Sequence, residues 1–112
     1  MTNRDEVLRK KEDFNLLYKK GKSVASYHVV LITIKNNLPY NRRAFLASKK
    51  VGNSVCRNRA RRLMKEAFRQ REAELPPGYD MLFIARANIA DSKCADVKKS
   101  IDAVLRRSGI IQ

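Results

Sequence analysis

At 112 residues and 12.9 kDa the chain has the length of one domain, since domains commonly run to ~100–150 residues. It carries 25 Lys+Arg against 11 Asp+Glu, a formal net charge of +14, with 44% hydrophobic residues, enough for a modest core and too many for a disordered tail. No apolar run approaches the roughly 20 residues of a membrane helix, and the opening Met-Thr-Asn-Arg-Asp-Glu argues against a secretory signal, so a cytoplasmic protein without membrane contact is expected.

Taken in chain order, residues 4–20 place Leu8, Phe14, Leu17 and Tyr18 at helical spacing and end at Gly21, which predicts a first helix with a glycine C-cap. Lys19, Lys20 and Lys22 crowd the end where cations suit the helix dipole. Residues 27–35 are rich in β-branched side chains and predict a strand. Turn chemistry over 36–41 leads to a second strand at 43–49, antiparallel to the first. Val51-Gly-Asn-Ser54 reads as a loop feeding a helix over 55–74, capped by Asn53 or Ser54 and stopped before Pro76-Pro77. A third strand over 79–86 and a last helix over 92–107 complete the order α-β-β-α-β-α. The economical arrangement is a single two-layer α+β domain, a small mixed sheet packed against helices.

The charge is concentrated. Residues 42–71 hold 11 bases and one acid, Glu66, so +10 of the +14 falls in 30 residues. A solvated helix face would interleave Glu with Lys; here the acids are missing, which points to phosphates and therefore to nucleic acid. Wound at about 100° per residue, the helix puts Cys56, Ala60, Leu63, Met64 and Ala67 on one side and Asn58, Arg61, Arg62, Lys65 and Arg69 on the other. Arg57 and Arg59 border the two faces. From Arg57 to Arg71 six of the seven bases are Arg, whose guanidinium matches phosphate oxygens bidentately.

Catalytic chemistry is not written into this chain. No paired carboxylates at a useful spacing, no HxxxH cluster and no Ser/His/Asp set is present. His28 stands alone in a strand and reads as a packing or solvent-contacting residue, with an RNA contact as the alternative. Cys56 and Cys94, 38 positions apart without CxxC, read as two small buried hydrophobes and not as a zinc site or disulfide. A ribosomal-type RNA-binding protein shares this size and charge. A DNA-binding helix-turn-helix would need a helix where residues 43–54 read as strand and loop, so no DNA partner is expected.

The stretch Lys49-Lys-Val-Gly-Asn-Ser-Val-Cys-Arg-Asn-Arg-Ala-Arg-Arg62 closely resembles the Arg-Asn-Arg motif of the protein subunit of bacterial ribonuclease P. Leu8-Arg-Lys-Lys-Glu-Asp-Phe14, Gly21-Lys-Ser-Val-Ala25, Pro77-Gly-Tyr-Asp80 and Ile84-Ala-Arg86 resemble other parts of that family, in the same order. The resemblance implies a left-handed βαβ crossover, against the right-handed rule. It also implies a non-catalytic subunit of a ribonucleoprotein endoribonuclease. Its partners would be ribonuclease P RNA, which carries out the hydrolysis and holds most of the Mg²⁺, and precursor tRNA, whose 5′ leader is removed; use of other RNA substrates and the absence of an organic cofactor go with it. Lys49, Lys50, Asn53, Arg57, Asn58, Arg59, Arg61, Arg62, Lys65 and Arg69 would face the catalytic RNA. Phe14, Tyr18, Ile32, Arg57 and Asn58 would form a cleft for the single-stranded leader. Ile32 stands where relatives can carry an aromatic, and Lys65 replaces the usual Arg.

Overall fold

Val-Val-Leu-Ile-Thr-Ile-Lys and Tyr-Asp-Met-Leu-Phe-Ile-Ala, apolar on both faces, form the two central strands of the sheet in a computed structural model that describes residues 7–111. In chain order the elements are α1 (Lys11–Lys20), β1 (Lys22–Ala25), β2 (Val29–Lys35), β3 (Arg42–Leu46), α2 (Ser54–Glu72), β4 (Tyr79–Ala85) and α3 (Cys94–Ser108). Short 3-10 turns at Lys49–Val51 and Ala87–Asp91 lead into α2 and α3. The sheet order is β1-β2-β4-β3. β2 is antiparallel to β1 and β4, and β3 is parallel to β4, so α2 is the crossover between two neighbouring parallel strands. The strands β2 and β3 do run in opposite directions, as expected, but β4 lies between them.

Strand alternation divides the apolar residues between two faces. Val29, Leu31, Met81, Phe83 and Phe45 meet Ala60, Met64, Ala67 and Phe68 of α2 and Val97, Ile101, Val104 and Leu105 of α3. Phe45, Phe68 and Phe83 form an aromatic cluster with ring centroids 5.2–5.8 Å apart. On the opposite face Leu17 packs onto Ile32, Ala44 and Leu82, with Leu8 beside them. The α+β reading holds, and α1 adds a partial layer on the second face.

The second expected strand ends at Leu46 and not at 49, because Lys49 opens the 3-10 turn capped by Ser48, and two larger differences concern the first helix and an added strand. The first helix starts at Lys11, and the part expected over residues 4–6 lies outside the described residues. Val7 bridges Arg43, and the Leu8 amide donates to the Arg43 carbonyl at 2.9 Å. Extended backbone there satisfies the outer edge of β3, which a helix could not do. The second change is β1, a four-residue edge strand with only Val24 half-buried, too short and too polar for a strand pattern.

Gly21 ends α1, but in an extended conformation (φ −70°, ψ 152°). The position needs glycine for space. A Cβ would sit 2.4 Å from the Leu17 carbonyl oxygen and 2.5 Å from Ile32 Cγ2. At α3, Gly109 does take the left-handed cap, at φ 86°.

Candidate nucleic-acid interface

Because α1 covers only part of its face, the sheet leaves a groove between α1, β3 and α2. Val30 and Ile84 stay half-buried and Leu46 is 37% exposed, whereas Leu82 and Ile32 are sealed beneath α1. Phe14 forms the α1 wall. Tyr18, one helical turn on, is 56% exposed. The cavity has a volume of about 940 Å³ and extends over α2, so that its lining runs from Leu8 and Phe14 across Ala44 and Leu46 to Arg62, Lys65 and Cys94. A second, shallower depression of about 480 Å³ joins Val55 and Asn58 to Arg61, Arg62 and Lys65. These three cations line both depressions.

The predicted cleft residues therefore come together only in part. Phe14 lines the groove and Tyr18 flanks it, but Ile32 is 8% exposed beneath α1. Asn58 belongs to the second depression. Val30, Ile84 and Leu46 lie on the open face and were not singled out from sequence. Their signal is there: once β2, β3 and β4 are aligned, they occupy the same alternation as Ile32, Leu82 and Ala44.

Local chemistry fixes how the cations are presented. Ser48 caps the Lys49–Val51 turn by accepting from the Lys50 amide, and Asn53 caps α2 by accepting from the Cys56 amide at 3.0 Å. Between the caps Gly52 takes φ 139°, open only to glycine. The side chains of Lys49, Lys50, Arg62 and Lys65 then stand exposed with no hydrogen-bond or ion-pair partner among the described residues. Arg61 donates to Asn58, Arg57 to the Ser54 hydroxyl at 3.2 Å, and Arg69 pairs with Glu66 at 2.9 Å. The buried Nε of Arg57 is a donor without a partner.

Other bases of the 42–71 patch are committed to the fold. Arg42 forms a fork on Asp80, at 2.8 and 2.7 Å, and also reaches Asp13 at 3.4 Å. Its pKa is raised above the usual arginine value, chiefly by the hydrogen bond to Asp80. Arg43 is paired with Glu72 at 3.4 Å and lies over the Phe68 ring. Arg71 forks onto Asp102 and reaches Glu74, and the hydrogen bond to Asp102 leads in raising its pKa. Arg59, expected among the RNA contacts, donates to the carbonyls of Ala90 and Ser92, both at 2.8 Å.

His28 is buried and shares a 2.8 Å hydrogen bond with Ser100 of α3, a packing role. Cys56 is half-buried, as a small hydrophobe would be, but Cys94 is exposed, because it opens α3 on the solvent side. Among the described residues no group of three or more His, Cys, Asp or Glu is placed to hold a metal, and no helix is long and apolar enough to cross a membrane.

A similar architecture and a related sequence occur in known proteins. The model of the Ribonuclease P family matches residues 2–109. A ribonuclease P protein component of Clostridioides difficile (strain 630) is 43% identical over 109 residues, covering 96% of each chain. That of Pelotomaculum thermopropionicum is also 43% identical, over 94% of each chain. Among solved structures, the RNase P protein of Staphylococcus aureus superposes with a TM-score of 0.86 at 30% identity over 96% of this chain and 98% of that one. The Thermotoga maritima protein gives 0.81 at 29% identity, over 91% of this chain and 96% of that one.

Proposed function

The chain belongs to the ribonuclease P protein family, and is thus the protein component of the ribonucleoprotein endoribonuclease that processes tRNA 5′ ends; from that premise we propose how its two surfaces divide the work. Lys49, Lys50, Asn53, Arg57, Asn58, Arg61, Arg62, Lys65 and Arg69 bind the catalytic RNA through its phosphates. Arg59 holds their helix in place. The groove takes the single-stranded 5′ leader of precursor tRNA.

The observation that carries the reading is the groove itself: Ala44 and Leu46 on its floor, Phe14 on one wall, and Arg61, Arg62 and Lys65 of α2 on the other, with Val30 and Ile84 continuing the apolar row of Leu46 across the sheet. Single strands are held by aromatic stacking beside a cationic track, with little dependence on sequence. Such a site grips a leader of any sequence and accepts other RNAs that present a single-stranded segment. Cations on the α2 rim offset the repulsion between leader and catalytic RNA where the two polyanions converge. Mg²⁺ would supply the metal chemistry of hydrolysis and is assigned to the RNA; the chain's own Asp13, Asp80, Glu72 and Asp102 serve instead as partners of arginines.

The test is cleavage of precursor tRNA at low Mg²⁺ by a bacterial ribonuclease P RNA, with and without the protein. Cleavage at the mature 5′ end should require both components, and the protein alone should cut nothing. No stimulation, together with salt-sensitive binding to unrelated structured RNA, would replace this reading by a ribosomal-type role.

A further inference from the structure

The open face of the sheet does not end at the groove. It runs across the strands from β3 over β4 and β2 to β1, where alternation puts Ser23 and Ala25 on the side opposite the half-buried Val24. Three steps of about 4.8 Å separate the edges, so a strand of RNA lying across the floor leaves the protein over β1. Cations mark that exit. Lys19 and Lys20 form the last turn of α1, and Lys22 opens the outer edge of β1 after the single residue Gly21, on the Val24 side, where its ammonium group reaches the end of α3. At the far end of β1, Arg107 donates to the Ala25 carbonyl and Arg86 to the Ser26 carbonyl at 3.0 Å.

This edge has no acid of its own. No residue from Gly21 to Lys35, or after Asp102, is acidic. Five acids elsewhere in the chain are held by arginines of the 42–71 patch: Asp13 and Asp80 by Arg42, Glu72 by Arg43, and Asp102 and Glu74 by Arg71. The internal pairs thus neutralise three arginines of the 42–71 patch and leave much of the net charge here. The three lysines are exposed, and among the described residues their side chains make one hydrogen bond, the long contact from Lys22 Nζ to the Ser108 carbonyl, 3.4 Å. Protecting a sheet edge from aggregation is one use of edge lysines, but it does not call for Arg86 and Arg107 as well.

We infer that Lys19, Lys20 and Lys22, with Arg86 and Arg107, form a second phosphate-binding surface at the β1 edge, which holds the leader nucleotides beyond the groove. This rests on the groove holding the leader. Tyr18 is the link, because it stands exposed on α1 immediately before Lys19. The surface reads only backbone phosphates, so its contribution depends on leader length and salt and not on leader sequence.

The experiment measures binding of the reconstituted holoenzyme to two precursor tRNAs, one whose leader ends in the groove and one extended by several nucleotides. In the wild type the longer leader should bind more tightly, with a steeper log–log salt dependence, by up to about 0.7 per added phosphate contact. The triple variant K19A/K20A/K22A should lose that increment, so that both precursors bind with equal affinity and equal slope. The triple Lys→Arg variant should retain it. An increment that survives in the alanine variant would overturn the inference, as would an equal loss for both leaders, which would place the lysines on the catalytic RNA. A parallel R61A/K65A variant separates the two levels: if it too binds both RNAs normally, the proposed function fails and not only this extension of it.

Discussion

Replacing Arg59 by methionine separates cations that hold the fold from cations that face RNA. Methionine keeps a long apolar stem along α2 but removes both hydrogen bonds from the guanidinium, to Ala90 and Ser92 at 2.8 Å each. Hydrogen bonds from a charged donor are worth about 1.5–3 kcal/mol apiece, and partly accessible carbonyls recover some of that from water, so the expected loss is about 2–3 kcal/mol. For a domain of this size that lowers the melting temperature by on the order of 10 °C. The bonds tie α2 to the Ala87–Asp91 turn and the residue after it, so the loss should show as earlier cooperative unfolding. Thermal melts of the free protein give the stability, and titrations with catalytic RNA at several salt concentrations give the slope. Arg59→Met should melt early and keep the wild-type slope when measured well below its melting point. A variant that melts like the wild type while its slope falls by about 0.9, one duplex phosphate, would refute the clamp and return Arg59 to the RNA-facing set.

The converse is expected of Arg61→Ala and Lys65→Ala, which should lower the slope by up to about 0.9 each while changing stability by no more than about 0.5 kcal/mol in thermal melts. Tyr18→Ala should weaken holoenzyme binding of precursor tRNA by about 1–3 kcal/mol through lost stacking; equal weakening for mature tRNA would indicate damaged packing instead. Gly21→Ala should destabilise the protein by about 1–3 kcal/mol, as overpacking does, because the new Cβ meets the Leu17 carbonyl and Ile32; an unchanged melt would contradict the tight approach of α1 to β2. In the native protein a thiol reagent should modify exposed Cys94 rapidly and half-buried Cys56 slowly, and equal rates would count against the placement of α3.

Where local chemistry decides an element, it is readable from sequence. Asn53 followed by an amphipathic run defines α2 within two residues at either end, and the β-branched run defines β2. Elements decided by a distant partner are not readable. Val7 and Leu8 look helical beside Phe14, but the unpaired edge of β3 draws them into an extended bridge. Lys22–Ala25 carries little strand signal and becomes β1 because β2 offers it an edge. The insertion of β4 between β2 and β3 likewise depends on contacts some 40 residues apart, beyond any local pattern.

The candidate site shows the same division. Its cations are legible as a count, yet the count misplaces them, because sequence distance says nothing about which acids reach which arginines. Residues 42–71 hold +10 on paper, but Arg42, Arg43 and Arg71 draw Asp13, Asp80, Glu72, Glu74 and Asp102 to themselves from outside the patch, and Arg59 is tied to backbone. These five contacts occupy three cations of the patch and five acids from outside it. The pairing therefore leaves exposed cations at two edges of the sheet, β3 with α2 on one side and β1 on the other, with the apolar row between them. A polyanion lying along that row meets cations at both ends. The folded distribution favours a ligand long enough to span the sheet, whereas the linear count alone would favour one bound along a single helix.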